Sequence, residues 1–308
     1  MKFYRASVFV APASAGRFSG PAEGGATNSI RSSCLLLLVF VPLAFAGLPA
    51  DWATNITTAA TWNSNATNAD RSSDTIGALQ LRADASVTHR IALGTDDALF
   101  TGGDLTAEAW PRFDGLNRAT LGPRLAWQHK FGLGALAPTI TTELSGDAVF
   151  AHETDRSGLS GGVTVALRKR FDFATRLSLT HEWTRHDART LVFDRTSRET
   201  ALELARDLDE RWQLSLALRY RQGDVLSYAT PPRADLVALA KVRVPNTTFD
   251  RSFVVYSLDA RTLTGSASLS YALDNATSLN VAYDYRDTAR GPLRYVNHLV
   301  SAGLARQF

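Results

Sequence analysis

Residues 78–93 read ALQLRADASVTHRIAL, and apolar and polar side chains alternate along the whole stretch. Successive side chains of a β-strand point to opposite faces, so a period of two predicts a long strand with one apolar and one polar face. The apolar positions are Leu79, Leu81, Ala83, Ala85, Val87, Ile91 and Leu93. Intervening positions carry Arg, Asp, Gln, Ser and Thr, which indicates that the second face meets water.

The same alternation recurs along the chain, most clearly at 211–221, 262–273 and 277–286. Applied throughout, it predicts twelve strands, at 52–63, 78–93, 103–110, 120–130, 139–151, 160–169, 175–184, 197–206, 211–221, 262–272, 276–286 and 297–308. Many of these strands have 10 to 13 residues, the length that a tilted strand needs to cross a bilayer. Strands of soluble proteins are typically about 5–6 residues long.

The links between the predicted strands are of two kinds. Compact turns occur at 131–137, 170–174, 207–210 and 273–276, whereas longer polar links occur at 152–159, 185–196 and 222–261. Short periplasmic turns on one side and longer extracellular loops on the other are typical of outer-membrane barrels. The predicted fold class is therefore all-β: a membrane-spanning, antiparallel, up-and-down β-barrel of about twelve strands.

Aromatic residues near the predicted strand ends support this fold. Phe131, Phe173 and Trp212 lie toward the short turns, and Phe150, Trp183, Tyr220 and Tyr285 lie toward the long loops. All fall on the apolar face, where amphipathic rings prefer the two membrane interfaces. A strand protein can cross hydrocarbon only when its sheet closes, because unpaired backbone groups find no water there.

The amino-terminal segment predicts export. Residues 34–46 (CLLLLVFVPLAFA) follow Arg31 and end in Ala-Phe-Ala, as expected for the apolar region and cleavage site of a signal peptide. We therefore divide the chain into an extension with a cleaved signal peptide (1–46) and a barrel (47–308). Residues 1–30 lie upstream of the signal's natural start, and they are expected to be an over-extended gene start.

Composition excludes several classes of function. The full chain has a formal charge of +3, but residues 47–308 carry 29 basic and 29 acidic residues. Net charge therefore gives no support for nucleic-acid binding. The single cysteine precedes the cleavage site, so a thiolate metal site and a cysteine nucleophile are excluded. We predict no cofactor.

The carboxyl-terminal strand, NHLVSAGLARQF, ends in Phe308 with Val300, Ala302 and Leu304 at alternate positions before it. With the signal peptide and the alternating strands, it resembles bacterial outer-membrane β-barrel proteins of a porin-like kind. The resemblance implies that Phe308 is an assembly signal read by the barrel-assembly machinery, although Arg306 departs from the usual pattern. It also implies integral localisation in the outer membrane, in contact with its lipid and lipopolysaccharide.

The polar face carries both signs of charge. Its predicted pore-lining residues are Arg82, Asp84, Arg90, Asp104, Glu108, Arg124, Lys130, Glu143, Asp147, Arg168, Arg176, Glu182, Glu199, Glu203, Arg219, Arg221, Asp284 and Arg286. Two interpretations stay open. Either these residues line a water-filled, porin-like channel for passive passage of small polar solutes, or they pair into a core that plugs the barrel.

Two alternative functions are a structural or binding barrel linked to surface polysaccharide export or attachment, and an outer-membrane hydrolase. The second has little support, because His181 to His186 (HEWTRH) is one residue too long for H-E-x-x-H and its histidines would face opposite sides of a strand. We therefore expect no enzyme. Link 222–261 either folds inward as a constriction or rises above the membrane as an extra hairpin.

Overall fold

The computed structural model describes residues 52–308, where the regular structure is almost entirely β-strand. The strands are β1 (Trp52–Asn63), β2 (Ala78–Ala92), β3 (Asp97–Ala109), β4 (Arg118–Lys130), β5 (Thr139–Ala151), β6 (Gly158–Arg170), β7 (Thr175–Ala188), β8 (Arg195–Asp207), β9 (Trp212–Ala229), β10 (Val242–Asn246), β11 (Phe253–Ala272), β12 (Thr277–Arg290) and β13 (Leu293–Gln307). One short helix, α1 (Ala234–Leu239), precedes β10. Within this part of the chain, no helix is long and apolar enough to cross a membrane. The predicted signal peptide lies outside the described residues.

The sheet closes on itself. Every strand from β1 to β8 pairs with the next, β9 pairs with β11, β11 to β13 continue the ring, and β13 returns to β1. All pairings are antiparallel, and β10 lies outside the ring against β11. The predicted twelve-stranded, up-and-down barrel is therefore confirmed, and ring closure removes the free sheet edges along the barrel wall.

The strand positions agree with the alternation to within four residues except at three ends. Strand β3 begins at Asp97 instead of 103, because Gly102 and Gly103 interrupt the pattern. A Cβ at Gly102 would lie 1.9 Å from the carbonyl oxygen of Val87, so the neighbouring strand requires glycine there. Strands β9 and β11 extend beyond the predicted 221 and 262, where their side chains are buried on both faces and no alternation is visible.

The two ends of the barrel differ in their links. At the short-turn end the links are 93–96, 131–138, 171–174, 208–211 and 273–276, and at the loop end they are 64–77, 110–117, 152–157, 189–194, 230–252 and 291–292. The prediction of compact turns at one end and longer loops at the other is confirmed. There are two exceptions: 131–138 is longer than 152–157 and 189–194, and 291–292 is short because β12 and β13 continue upward as a tight hairpin.

Three of the short turns share one construction. Each has an aspartate, Asp172, Asp209 or Asp274, whose Oδ1 accepts backbone N–H bonds from the residues two and three positions later. These Asx turns are local alternatives to strand pairing, so they end one strand and start the next. In these turns, outside the barrel wall, the backbone hydrogen bonds lower the pKa of all three carboxyls.

The outer wall of the barrel is apolar and exposed. On β4, Leu121, Leu125 and Trp127 are exposed at alternate positions, and the other ring strands repeat the pattern. The seven aromatic residues predicted for the two interfaces are all exposed, toward the ends where the sequence pattern put them. A contiguous apolar surface of this extent marks contact with a membrane or another apolar partner.

The apolar core lies at the loop end, a location that the alternation did not predict. One cluster joins Trp110, Phe113, Val192, Phe193 and Phe249 from the links to Leu226 and Tyr228 of β9. A second cluster packs Leu236 of α1 against Tyr256, Leu258, Leu293 and Tyr295. We call the links 64–77, 110–117, 152–157, 189–194 and 230–252, with the strand tops that they pack on, the loop cap.

Link 222–261 forms a paired extension above the ring, and its buried side chains pack against the other links of the loop cap. Its first and last parts continue β9 and β11 as a paired extension, from Gln222↔Arg261 to Ala229↔Val254. Strand β10 pairs along this extension through Val242↔Ser257 to Asn246↔Phe253. Of the two alternatives for this link, the structure has the extra hairpin.

Candidate channel lumen

Strand register places all eighteen predicted pore-lining residues on the face opposite the exposed apolar side chains. Inward positions pair with inward positions around the ring, as in Glu143↔Thr164, Thr164↔Glu182, Glu182↔Glu199 and Glu199↔Arg221. Arg90 and Lys130 lie at the short-turn end, away from the charged groups described below. Their role as pore lining stays a prediction.

A fully paired charge network lies just below the loop cap. Arg118 holds Glu108 with two hydrogen bonds of 2.7 and 2.8 Å, and Arg82 Nη1 lies 3.4 Å from Glu108 Oε1. Arg82 also binds Asp84, with its Nε and Nη2 2.7–3.0 Å from the carboxylate oxygens, and Thr106 Oγ1 donates to Asp84. The side chains of Arg118 and Glu108 are 5% and 2% exposed. The pairing leaves no free charge, but only the Arg118–Glu108 pair fills its space, because the side chains of Arg82 and Asp84 are 23% and 28% exposed.

Arg118 belongs to this network but was not among the predicted residues. It lies two positions before the strand predicted at 120–130, whereas β4 begins at Arg118 itself. The alternation of polar residues continues back to Arg118, so a predicted strand that began two residues earlier would have included this arginine.

In the middle of the barrel, a charged group has no fully buried side chain. Arg124 Nη2 lies 2.9 Å from Asp104 Oδ1, and Arg124 Nη1 lies 3.6 Å from Glu143 Oε2. These three inward side chains are 27%, 33% and 30% exposed. Charged side chains that point into a closed barrel keep this exposure only when the barrel contains open space. The lumen at this level therefore has room for water.

The opposite wall has a second charged group. Asp284 lies 3.4 Å from Arg286 Nη2 and 4.0 Å from Arg219 Nη1, and Arg219 also donates to Ser266 Oγ. Above them is a cavity with about 520 Å³ of empty space, including its open mouth. Glu199, Arg221, Thr262 and Asn297 are among the residues that line it. The inner surface thus presents cations, anions and hydroxyls together.

Link 64–77 forms the roof of this cavity. It leaves the barrel between β1 and β2, yet its backbone and side chains bind β9, which lies four strands away around the ring. Tyr228 N donates to Thr67 O (2.9 Å), Asn68 Nδ2 donates to Leu226 O (2.9 Å), and Ser227 Oγ donates to Asn68 O (2.8 Å). The link therefore crosses the mouth of the barrel.

Two further contacts fasten link 64–77. Arg233, whose side chain is fully buried, binds Asp70 through two hydrogen bonds of 2.8 and 2.9 Å. Arg233 also binds Asp235, and these hydrogen bonds lower the pKa of the Asp235 carboxyl to about 2. Thr230 Oγ1 donates to Asp74 at 2.7 Å. The link is held at both its centre and its far side.

A buried arginine anchors link 152–157. Arg156 binds Glu153, donates from Nη2 to Tyr228 OH (3.2 Å) and lies 4.0 Å from the centre of the Phe193 ring. Burial raises the pKa of Glu153 to about 8, against the opposing attraction of Arg156. Burial also lowers the pKa of Arg156. This contact ties two links of the loop cap to the top of β9.

The two histidines of HEWTRH do not meet at one site. His181 lies on the outer face beside Thr200, whereas His186 is buried on the inner face and contacts the carbonyl oxygen of Arg156. Among residues 52–308, no group of three or more His, Cys, Asp or Glu side chains is arranged to hold a metal ion. The two histidines of HEWTRH point to opposite faces of β7, as their spacing predicts.

Phe308 lies at the seam where the ring closes. Its backbone exchanges hydrogen bonds with Thr54 of β1 at 2.9 and 3.4 Å, and its ring is exposed beside the guanidinium of Arg306. Its role as an assembly signal stays a prediction.

Closed sheet, apolar outer wall and charged inner wall together define the class of an outer-membrane β-barrel. No family model and no curated protein matches the sequence. Among solved structures, an outer membrane channel from Pseudomonas putida F1 is 10% identical, with a TM-score of 0.56 over 86% of this chain and 98% of that one. A KdgM porin in complex with oligogalacturonate is 11% identical, with a TM-score of 0.46 over 82% of this chain and 99% of that one. The first similarity establishes a shared fold.

Proposed function

We propose that this chain is a porin-like channel of a bacterial outer membrane, through which small polar solutes pass passively. The observation that carries the proposal is the partial exposure of Arg124, Asp104 and Glu143 inside the closed ring. Hydrated side chains of both signs replace part of the hydration of a polar solute while leaving it free to move on. The exposed apolar wall supports a location within the membrane.

The proposal includes the route to the membrane. A signal peptide in residues 1–46 directs export, and the barrel-assembly machinery reads Phe308. Residues 47–308 then form one barrel surrounded by outer-membrane lipid and lipopolysaccharide.

The test is electrical. Purified, refolded protein is added to planar bilayers, and heat-modifiable migration on a gel confirms that the barrel has folded. We expect discrete conductance steps, and liposomes with the protein should swell in small sugars faster than in larger ones. Heat-denatured protein is the control. Folded protein that gives neither conductance steps nor swelling would overturn the channel.

The loop cap favours a second candidate, a binding or structural barrel linked to surface polysaccharide. Four of its five links pack into two apolar clusters and Arg156 fastens the fifth, so the links present a fixed surface at the loop end. A barrel of this kind would bind polysaccharide and conduct no ions. The bilayer measurement therefore separates the two candidates.

A further inference from the structure

Strand β11 has a hydroxyl side chain at five consecutive inward positions, which register pairs with the inward positions of β9 from Arg221 to Gln213. The residues between them, such as Leu263 and Leu269, are exposed on the apolar outer wall. Residues of a strand rise about 3.3 Å each, so the five hydroxyls follow one another over about 26 Å. We call them the hydroxyl ladder: Thr262, Thr264, Ser266, Ser268 and Ser270.

The upper end of the hydroxyl ladder opens into the cavity beneath link 64–77, which both Thr262 and Thr264 line. Thr264 is only 6% exposed, yet its hydroxyl has no hydrogen-bond partner within residues 52–308. Arg286 lines the same cavity and is 9% exposed, and within this part of the chain it donates only from Nη2, to Asp284. Buried polar groups are costly unless something bonds to them. The cavity therefore presents hydrogen-bonding groups that the protein itself does not satisfy.

Below the cavity, the lower end of the hydroxyl ladder has uncharged register partners. Ser268 is paired with Ser215 of β9 and with Ala282 of β12. Ser270 is paired with Asn280, whose Oδ1 accepts a hydrogen bond from Ser270 Oγ at 3.4 Å. Each hydroxyl offers one donor and two acceptor lone pairs, so a single bond leaves capacity for more. This part of the ladder can exchange hydrogen bonds with a solute but offers no charge to an ion.

The hydroxyl ladder lies across the lumen from the charged wall. Strand β4, which carries Arg124, is the sixth strand from β11 in either direction around the ring. Arg124 and its partners Asp104 and Glu143 have long side chains that reach into the lumen. Serine and threonine are short and leave the space in front of β11 unfilled. The open part of the lumen is therefore displaced toward the ladder, and a solute that passes Arg124 runs along β11.

We propose that the hydroxyl ladder is the path along which neutral, polyhydroxylated solutes, namely sugars and polyols, cross the barrel. Such a solute binds first in the cavity, where its hydroxyls accept from Arg286 and bond to Thr264. It then moves from one ladder hydroxyl to the next, and each site is weak enough to be left, as conduction requires. This inference rests on the proposed channel function and names the class of solute that the channel passes.

The test compares the swelling of liposomes that contain the folded barrel in isotonic sorbitol, a linear polyol, and in isotonic glycine betaine, which has no hydroxyl and no net charge. The variant T264V/S266A/S268A/S270A should have a sorbitol-to-betaine ratio of swelling rates at least threefold below that of the unaltered protein. The matched control, T164V/S86A/S145A/S197A, removes the same hydroxyls from scattered inward positions of β2, β5, β6 and β8 and should keep the ratio. Heat-modifiable migration confirms that each variant is folded.

An unchanged ratio in the ladder variant, or an equal fall in the ladder variant and the control, would overturn the proposal. If the fourfold variant does not fold, T264V and S268A are measured singly, and each should lower the ratio. Ion conductance is recorded on the same preparations. Conductance steps with an unchanged ratio would contradict the ladder alone, whereas absence of both steps and swelling would remove the channel and the ladder together.

Discussion

The middle of the lumen and the loop cap are built on the same strands, yet one is hydrated and the other is packed. Around Arg124 the inward side chains are charged and partly exposed. Near the top of β13 the inward positions become Leu293, Tyr295 and Leu299, and all three are buried. The comparison teaches that alternation decides whether a side chain points inward or outward. The chemistry of the inward side chains then decides whether the interior of the barrel is packed or hydrated.

The largest effect should come from removing the roof of the lumen. Replacing residues 66–75 with a short Gly-Ser linker deletes the contacts to β9 and should raise single-channel conductance by roughly twofold or more, because link 64–77 no longer crosses the mouth of the barrel. Planar-bilayer recording measures this. Replacing 132–137, a turn of similar kind at the other end, is the control and should leave conductance unchanged. Equal conductance in both variants would show that link 64–77 does not restrict the channel.

A milder change should loosen the same roof without deleting it. Arg233→Gln removes both hydrogen bonds and the ion pair to Asp70, whose side chain is only partly buried. Losing one partner of a fully buried pair costs about 3–5 kcal/mol, and the cost here should be smaller because Asp70 is partly exposed. Link 64–77 should therefore become sensitive to protease while the strands stay intact. Arg251→Gln, which removes an exposed contact to Ser73, is the comparison and should change cleavage little.

In the hydrated region, Arg124→Gln should alter selectivity more than stability. Asp104 and Glu143 would lose their shared cation, so the permeability ratio of cations to anions should rise by roughly twofold. Reversal potentials in a salt gradient measure the ratio. Arg206→Gln on the outer wall is the control. An equal change in its permeability ratio would show that the charge inside the barrel does not affect ion permeation.

The loop cap should also respond to pH. Burial raises the pKa of Glu153 to about 8, above its usual value of about 4.3. The folded cap then binds more protons than the opened cap, so its stability is complete below about pH 4.3 and declines as the pH rises to about 8. Hydrogen exchange in residues 152–157 should accelerate over this range. Glu153→Gln should flatten the dependence, and an unchanged slope would contradict the assignment.

The smallest effect is expected at the short turns. Asp274→Ala removes two backbone hydrogen bonds at the surface and should lower the Tm by roughly 1–2 °C. Because the folded pKa of Asp274 is lowered, its contribution is present above about pH 3.9 and is lost as the pH falls through the folded value. Asp274→Asn keeps an acceptor oxygen, so its Tm should lie between those of the unaltered protein and Asp274→Ala. Melting curves at pH 7 and pH 3 measure the difference.

The barrel could be predicted from the sequence because the alternation that defines each strand is visible within a few neighbouring residues. In β2, each residue's neighbours two positions away already show which face it occupies. The loop cap is not local: Asn68 binds Leu226, which is 158 positions away. Segment 253–260 is buried on both faces and carries no alternation. It therefore has the appearance of an apolar link, although it forms the top of the longest strand.

Strand β10 has a consequence for how this molecule behaves among its copies. Above the ring, the extended β9–β11 sheet has two sides that would accept another chain's backbone. Link 64–77 covers the β9 side through Tyr228 N, and β10 covers the β11 side. Strand β10 itself has only five residues, with Pro245 and exposed Arg243 among them. A short strand with a proline and a charge is a poor template for strand addition, so the outermost part of the sheet resists aggregation.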